Sequence, residues 1–226
     1  MRIGIFGDSF ALQHSPDTIW WKQLRDSYNH DVVSFGEGGS SFMYSTRMLY
    51  AHAYKFDFQI LCLTSTGRYS VPLDDHNLTF IHSNKTQVND PSLSWDANEK
   101  LKVLKKYKEL IYDPWEENLI NKALCFYLLD QYPNLMIIPC FPAPLNQTFS
   151  LFDISAKEMS VYFPNVDPAN VFEKYADLRP GHMIPENNKI LADLINKNLT
   201  PGIFQTDINL FQTPLGPVEH HFKAIR

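Results

Sequence analysis

Four groups of residues in this sequence could do chemistry, and each borders an apolar or amphipathic run. Gly7-Asp8-Ser9 follows Ile3-Gly4-Ile5-Phe6, and Gly36 to Ser41 follows Val32-Val33-Ser34-Phe35. Thr64-Ser65-Thr66-Gly67-Arg68 follows the run Phe58 to Leu63, and Asp177 to His182 precedes a stretch that opens at Pro185. A serine hydroxyl is a poor nucleophile until a base takes its proton, so Ser9 would need an imidazole within reach. Plainer roles stand beside this one. Ser9 suits a turn or a helix cap, Asp8 suits a structural hydrogen bond of the turn, and the glycines suit a tight turn. His182 could cap the last helix, and Arg68 could pair with a surface carboxylate or meet an anionic substrate. Phosphate-binding patterns of the Walker or GxGxxG type do not occur in the sequence.

The elements that must position these groups alternate. Residues 2–7, 32–35 and 58–63 read as short strands, and 135–139 as a fourth. Helices are expected from Pro16 to Tyr28, over 41–54, 95–112 and 114–131, and from Pro185 to Asn198. Strand–helix–strand rhythm with short connections predicts an α/β fold around a parallel sheet. In such a sheet ligands bind beyond the carboxyl ends of the strands, where the polar groups above fall. Residues 64–94 and 140–180 read as irregular, and 199–226 shows no periodicity. The expected organisation is an α/β domain over 1–198 with an inserted segment at about 64–131, followed by a C-terminal extension over 199–226. Trp20 and Trp21 read as one core and one surface residue, and Trp95 and Trp115 as packed.

Composition narrows the classes. The chain has 226 residues, 44% of them hydrophobic, with a formal net charge of -5. That balance does not suit a phosphate-tracking surface, so no nucleic-acid partner is expected. Lys100 to Lys108 reads as a solvated helix face. Cys62, Cys125 and Cys140 form no metal spacing, Cys62 and Cys140 read as buried strand thiols, and His220-His221 reads as a solvated tail; no metal or other cofactor is expected. Apolar runs are too short for a membrane span, and the chain opens on a strand with no secretion signal, which predicts a cytoplasmic protein.

Phe6-Gly7-Asp8-Ser9 after an N-terminal strand resembles the first block of SGNH (GDSL-like) hydrolases, in which the serine is the nucleophile. Phe35-Gly36-Glu37-Gly38-Gly39-Ser40 is similar to the second block, with Gly39 the best match to the oxyanion-hole glycine and Gly38 next. Asp177 to His182 ahead of a helix resembles the block that carries the catalytic histidine. The resemblance implies a three-layer α/β/α sandwich, flavodoxin-like in type, and a serine esterase. Ser9 would attack, His182 would relay the proton, and Asp177 would orient His182. The amides of Ser9 and Gly39 would form the oxyanion hole, with Thr66, Ser65 or Arg68 supplying a donor where the family has an asparagine, and Arg68 would contact substrate. The implied substrate is a small ester, such as an O-acetyl group on a glycan. Two positions depart from the pattern. The third block lacks its asparagine, and the position three before His182 is Arg179, with Asp177 two residues further back. Thr64 to Arg68 also resembles SGNH-like proteins of large bacteriophages. The rival expectation is therefore a non-catalytic module, for instance in a virion, with the C-terminal tail binding a protein partner or a second copy.

Overall fold

The computed structural model describes residues 1–65, 68, 70–72, 80–82, 95–141, 149–213, 216 and 218–225. In chain order the elements are β1 (Arg2–Phe6), α1 (Trp20–Tyr28), β2 (Asp31–Ser34), α2 (Phe42–His52), β3 (Phe58–Leu63), β4 (Ser70–Pro72) and β5 (Phe80–His82). Then come α3 (Trp95–Leu110), α4 (Pro114–Gln131), β6 (Leu135–Pro139), α5 (Leu151–Tyr162), α6 (Pro168–Lys174) and β7 (Tyr175–Asp177). The chain ends with α7 (Pro185–Lys197), β8 (Gly202–Ile203) and β9 (Phe222–Ala224).

Five strands form one sheet in the order β2-β1-β3-β6-β8, every neighbouring pair parallel. Ile5 lies beside Ser34 on one flank and Ile60 on the other. Every residue of β3 is buried, as a central parallel strand covered on both faces requires. Alternation along the strands sorts the core into two layers. Ile3, Ile5, Ile60, Cys62, Met136 and Ile138 pack with Trp20 and Leu24 of α1 and Leu191 and Ile195 of α7. Phe6, Leu61, Leu63, Leu135 and Ile137 pack with Leu49 of α2 and Cys125 and Leu128 of α4. The architecture is therefore an α/β/α sandwich with a parallel central sheet. Two small antiparallel ladders, β4 with β5 and β7 with β9, stand apart from it.

Several expectations need correction. α1 begins at Trp20, not Pro16, because Pro16 to Ile19 close a separate turn and the Trp20 amide donates to Asn188 Oδ1 of α7 at 2.9 Å. Trp20 and Trp21 are both buried; their indoles donate back to the carbonyls of Phe10 and Leu12. Trp95 and Trp115 are exposed instead of packed. The stretch 140–180 contains α5, α6 and β7. α5 opens on a capping box in which Ser150 Oγ accepts from the Asp153 amide and Asp153 accepts from the Ser150 amide.

The boundary expected after residue 198 does not divide the fold. β8 is the fifth strand of the sheet, Phe204 and Phe211 are buried against Phe149, and Phe222 is buried against Phe163. Phe204, Phe211 and Phe222 thus belong to the packing of this chain. Cys62, Cys125 and Cys140 are all buried free thiols. Among the described residues no helix is long and apolar enough to cross a membrane.

Candidate active site

The chain passes from β1 to β2 on one flank and then crosses to β3 on the other flank of β1, so the strand order reverses between β1 and β3. The crevice at the carboxyl ends of β1 and β3 is where such a fold presents its ligand site. The turn after β1 enters a short 3-10 turn, Ser9–Ala11, whose N-cap is Asp8. Asp8 is fully buried; Oδ1 accepts from the Phe10 amide at 3.1 Å. Oδ2 accepts from Thr64 Oγ1 and Arg68 Nη1, both at 2.7 Å. All of its oxygens are thus engaged in holding the turn, and Arg68 spends Nη1 on a buried carboxylate, not on a surface one. The Arg68 guanidinium also lies 4.8 Å from the centre of the Phe141 ring.

The glycine-rich turn after β2 is fastened to the same place. The Glu37 amide and Ser40 Oγ both donate to the Gly7 carbonyl, at 3.1 Å each. Gly36 sits so close to the Ser9–Ala11 turn that a Cβ there would lie 2.0 Å from the Ala11 carbonyl oxygen. Gly39 has φ +78, a conformation that favours glycine. Among the described residues neither the Ser9 nor the Gly39 amide donates to a protein acceptor. Thr66 lies outside the described residues.

The third component arrives from the far end of the chain. Asp177 ends β7; Pro180–His182 form a 3-10 turn in which Gly181 (φ +56) and His182 (φ +61) are both left-handed. A left-handed histidine is strained, and such strain persists only where its surroundings enforce it. Asn188 supplies part of that enforcement: it is fully buried, and Nδ2 donates to the carbonyls of Pro180 and Met183 at 2.9 and 3.0 Å. The double left-handed turn brings His182 back over Asp177, five residues earlier.

The side chains meet in a chain of two contacts. His182 Nδ1 lies 3.0 Å from Asp177 Oδ2, and His182 Nε2 lies 2.7 Å from Ser9 Oγ. Burial pushes the Asp177 carboxyl up, but hydrogen bonds from His182 and Arg179 outweigh it and hold the pKa at about 2. Ionised, Asp177 can only accept, so Nδ1 carries the ring proton and the Nε2 lone pair faces the Ser9 hydroxyl. Phe10 packs edge-on against the imidazole with ring centres 5.1 Å apart.

Residues that pattern reading missed stand behind Asp177. Arg179 donates to it through the backbone amide, Nε and Nη2, and reaches Glu158 of α5 through Nη1 at 2.7 Å. Glu158 is fully buried and also accepts from the Ile184 amide and Asn187 Nδ2. A charged residue in a segment that reads as irregular carries no signal of this kind. The Ser150-x-x-Asp153 capping box was the available clue that a helix begins there.

Neither a family model nor a curated protein matches the chain. Among solved structures it is similar to the psychrotrophic esterase EstA from Pseudoalteromonas sp., in a structure inhibited by monoethylphosphonate, with 14% identity and a TM-score of 0.40 over 87% of this chain and 94% of that one. It is also similar to the acetyl xylan esterase AlAXEase, with 12% identity and a TM-score of 0.41 over 88% of this chain and 99% of that one.

Proposed function

We propose that the protein is a serine esterase acting on small esters. The observation that carries this reading is the relay Asp177–His182–Ser9, with both contacts within hydrogen-bond distance. The Ser9 Oγ attacks the ester carbonyl carbon while its proton passes to His182 Nε2. Collapse of the tetrahedral intermediate breaks the bond to the alcohol oxygen, which takes the proton from Nε2. A water then gives a proton to Nε2 and attacks the acyl-Ser9 carbonyl. The acid leaves, and the proton returns to Ser9. Asp177 holds the Nδ1 tautomer throughout and offsets the charge of the imidazolium.

The Ser9 and Gly39 amides are the groups we assign to the oxyanion. A preorganised donor of this type lowers the barrier by roughly 3–4 kcal/mol. Arg68 belongs to the support of the Asp8–Ser9 turn in this reading, with its exposed edge left to touch substrate. An O-acetyl group on a glycan is the substrate class to try first. The test is hydrolysis of 4-nitrophenyl acetate and of acetylated xylan by the wild type, Ser9→Ala and His182→Ala. Turnover that both substitutions abolish is the expected result. Equal turnover in all three would remove the esterase reading.

A further inference from the structure

We propose that Arg179 is a positioning residue that locks Asp177 onto His182, and that the C-terminal strand closes this clamp through Phe222. The proposal rests on the esterase reading for its meaning in catalysis, though the clamp itself has its own observable.

The Arg179 side chain is fully buried, between two carboxylates that are themselves buried. Its fork engages both oxygens of Asp177, Nε to Oδ1 at 2.9 Å and Nη2 to Oδ2 at 2.7 Å. The Arg179 amide adds a second donor to Oδ1 at 3.0 Å. Oδ2 is left to be shared between Nη2 and His182 Nδ1. A carboxylate gripped at three points has little freedom to rotate, so the oxygen that serves the imidazole is fixed in direction. A planar fork can do this; an ammonium cannot. The guanidinium is anchored in turn, by Nη1 to Glu158 Oε2 at 2.7 Å and Nη2 to Ser155 Oγ at 2.9 Å.

Charge explains why the anchor has two carboxylates. Asp177 and Glu158 against Arg179 leave one buried negative charge while His182 is neutral. The imidazolium that forms as Ser9 attacks supplies the balancing charge. The cluster is therefore more favourable around the charged intermediate than around the resting state, which is the direction catalysis requires.

The floor of the clamp comes from the chain's last described residues. Asp177 pairs with Phe222 in the antiparallel ladder of β7 and β9, and the Leu178 amide donates to the His221 carbonyl at 2.8 Å. The Phe222 ring lies 4.7 Å beneath the guanidinium carbon, a cation–π distance. The stretch beyond residue 198 thus reaches back to hold the strand that ends in Asp177.

The experiment follows the hydrogen-bonded Nδ1 proton of His182 by proton NMR, beside the rate at which a fluorophosphonate labels Ser9. Proteins compared are the wild type, Arg179→Lys, Arg179→Ala and Phe222→Leu, each checked for native fold by circular dichroism. The wild type is expected to show the downfield proton. Arg179→Lys keeps the charge and is the variant that should still fold. It is expected to lose the proton and to label roughly a hundredfold more slowly, as misplaced catalytic groups do. Added guanidinium should restore both signals to Arg179→Ala. Phe222→Leu, which keeps an apolar floor, should show a smaller loss. A folded Arg179→Lys that retains the proton and the wild-type rate would overturn the clamp. A wild type that shows the proton, loses it in Arg179→Lys, and never labels would support the clamp and overturn the esterase reading alone.

Discussion

Arg68 and Asp8 form an ion pair, Nη1 to Oδ2 at 2.7 Å, that ties the segment after β3 to the turn carrying Ser9. Asp8 has no exposed side-chain surface, and Arg68 keeps 18%. Removing the cation leaves a buried carboxylate held, among the described residues, by Thr64 and the Phe10 amide. Arg68→Met is expected to destabilise the fold by about 3 kcal/mol, read by urea denaturation. The double variant Asp8→Asn/Arg68→Met should recover part of that loss.

Gly36→Ala is expected to cost about 3 kcal/mol. The new Cβ would meet backbone, the Ala11 carbonyl, at 2.0 Å, and a carbonyl cannot swing aside as a side chain would. Relief requires moving the Ser9–Ala11 turn, so the loss of thermal stability should come with slower reaction at Ser9. A melting temperature equal to wild type would contradict the packing described.

Periodicity and punctuation were sufficient for four of the five strands of the sheet and for α1, α2, α3, α4 and α7. The apolar run Phe58 to Leu63 and the Asp113-Pro114 start of α4 match the observed bounds. The resemblance to SGNH blocks marked Ser9, Gly39, Asp177 and His182 as candidates. The resemblance implied that Ser9, His182 and Asp177 meet; the means was not legible, because it depends on two successive left-handed residues, Gly181 and His182, held in part by Asn188 from another element. Pattern reading also missed Arg179 as a partner of Asp177, since its role arises from Glu158 on α5 and Phe222 on β9. The tail looked featureless for the same reason: β8 and β9 are two and three residues long, too short for a period to appear.

Asn188→Ala is expected to cost about 3 kcal/mol, since it strips the Trp20 amide of its acceptor and the Pro180 and Met183 carbonyls of their donor. Relaxation of the left-handed turn should move His182 away from Ser9, so reactivity should fall further than the populated folded fraction explains. Labelling kinetics measured well below the melting temperature separate the two effects.

Acid should weaken the fold through Asp177. Its pKa is held at about 2, against an ordinary 3.8, so the ionised form stabilises the native state at neutral pH. For a depressed carboxyl that stability is complete above the unfolded value and is lost as pH falls through the folded one. The stability gap between wild type and Asp177→Asn is expected to stay constant above about pH 5 and to shrink by about 2 kcal/mol toward pH 2. Burial raises the pKa of Glu158, which acts in the opposite sense; Glu158 is common to both proteins, so the difference reports Asp177 together with its coupling to Glu158 through Arg179. A gap that does not vary with pH would mean that the carboxylate is not held as described.

The central claim is that His182 activates Ser9, and covalent capture tests it most directly. Purified protein is treated with a fluorophosphonate and read by intact mass and peptide mapping, beside Ser9→Ala, His182→Ala and Asp177→Asn. The expected result is one adduct, at Ser9, absent in Ser9→Ala, lost in His182→Ala and slowed by roughly three orders of magnitude or more in Asp177→Asn. Wild-type protein that stays unlabelled where a known serine esterase reacts fully would contradict the account, as would labelling of Ser9 that does not depend on His182.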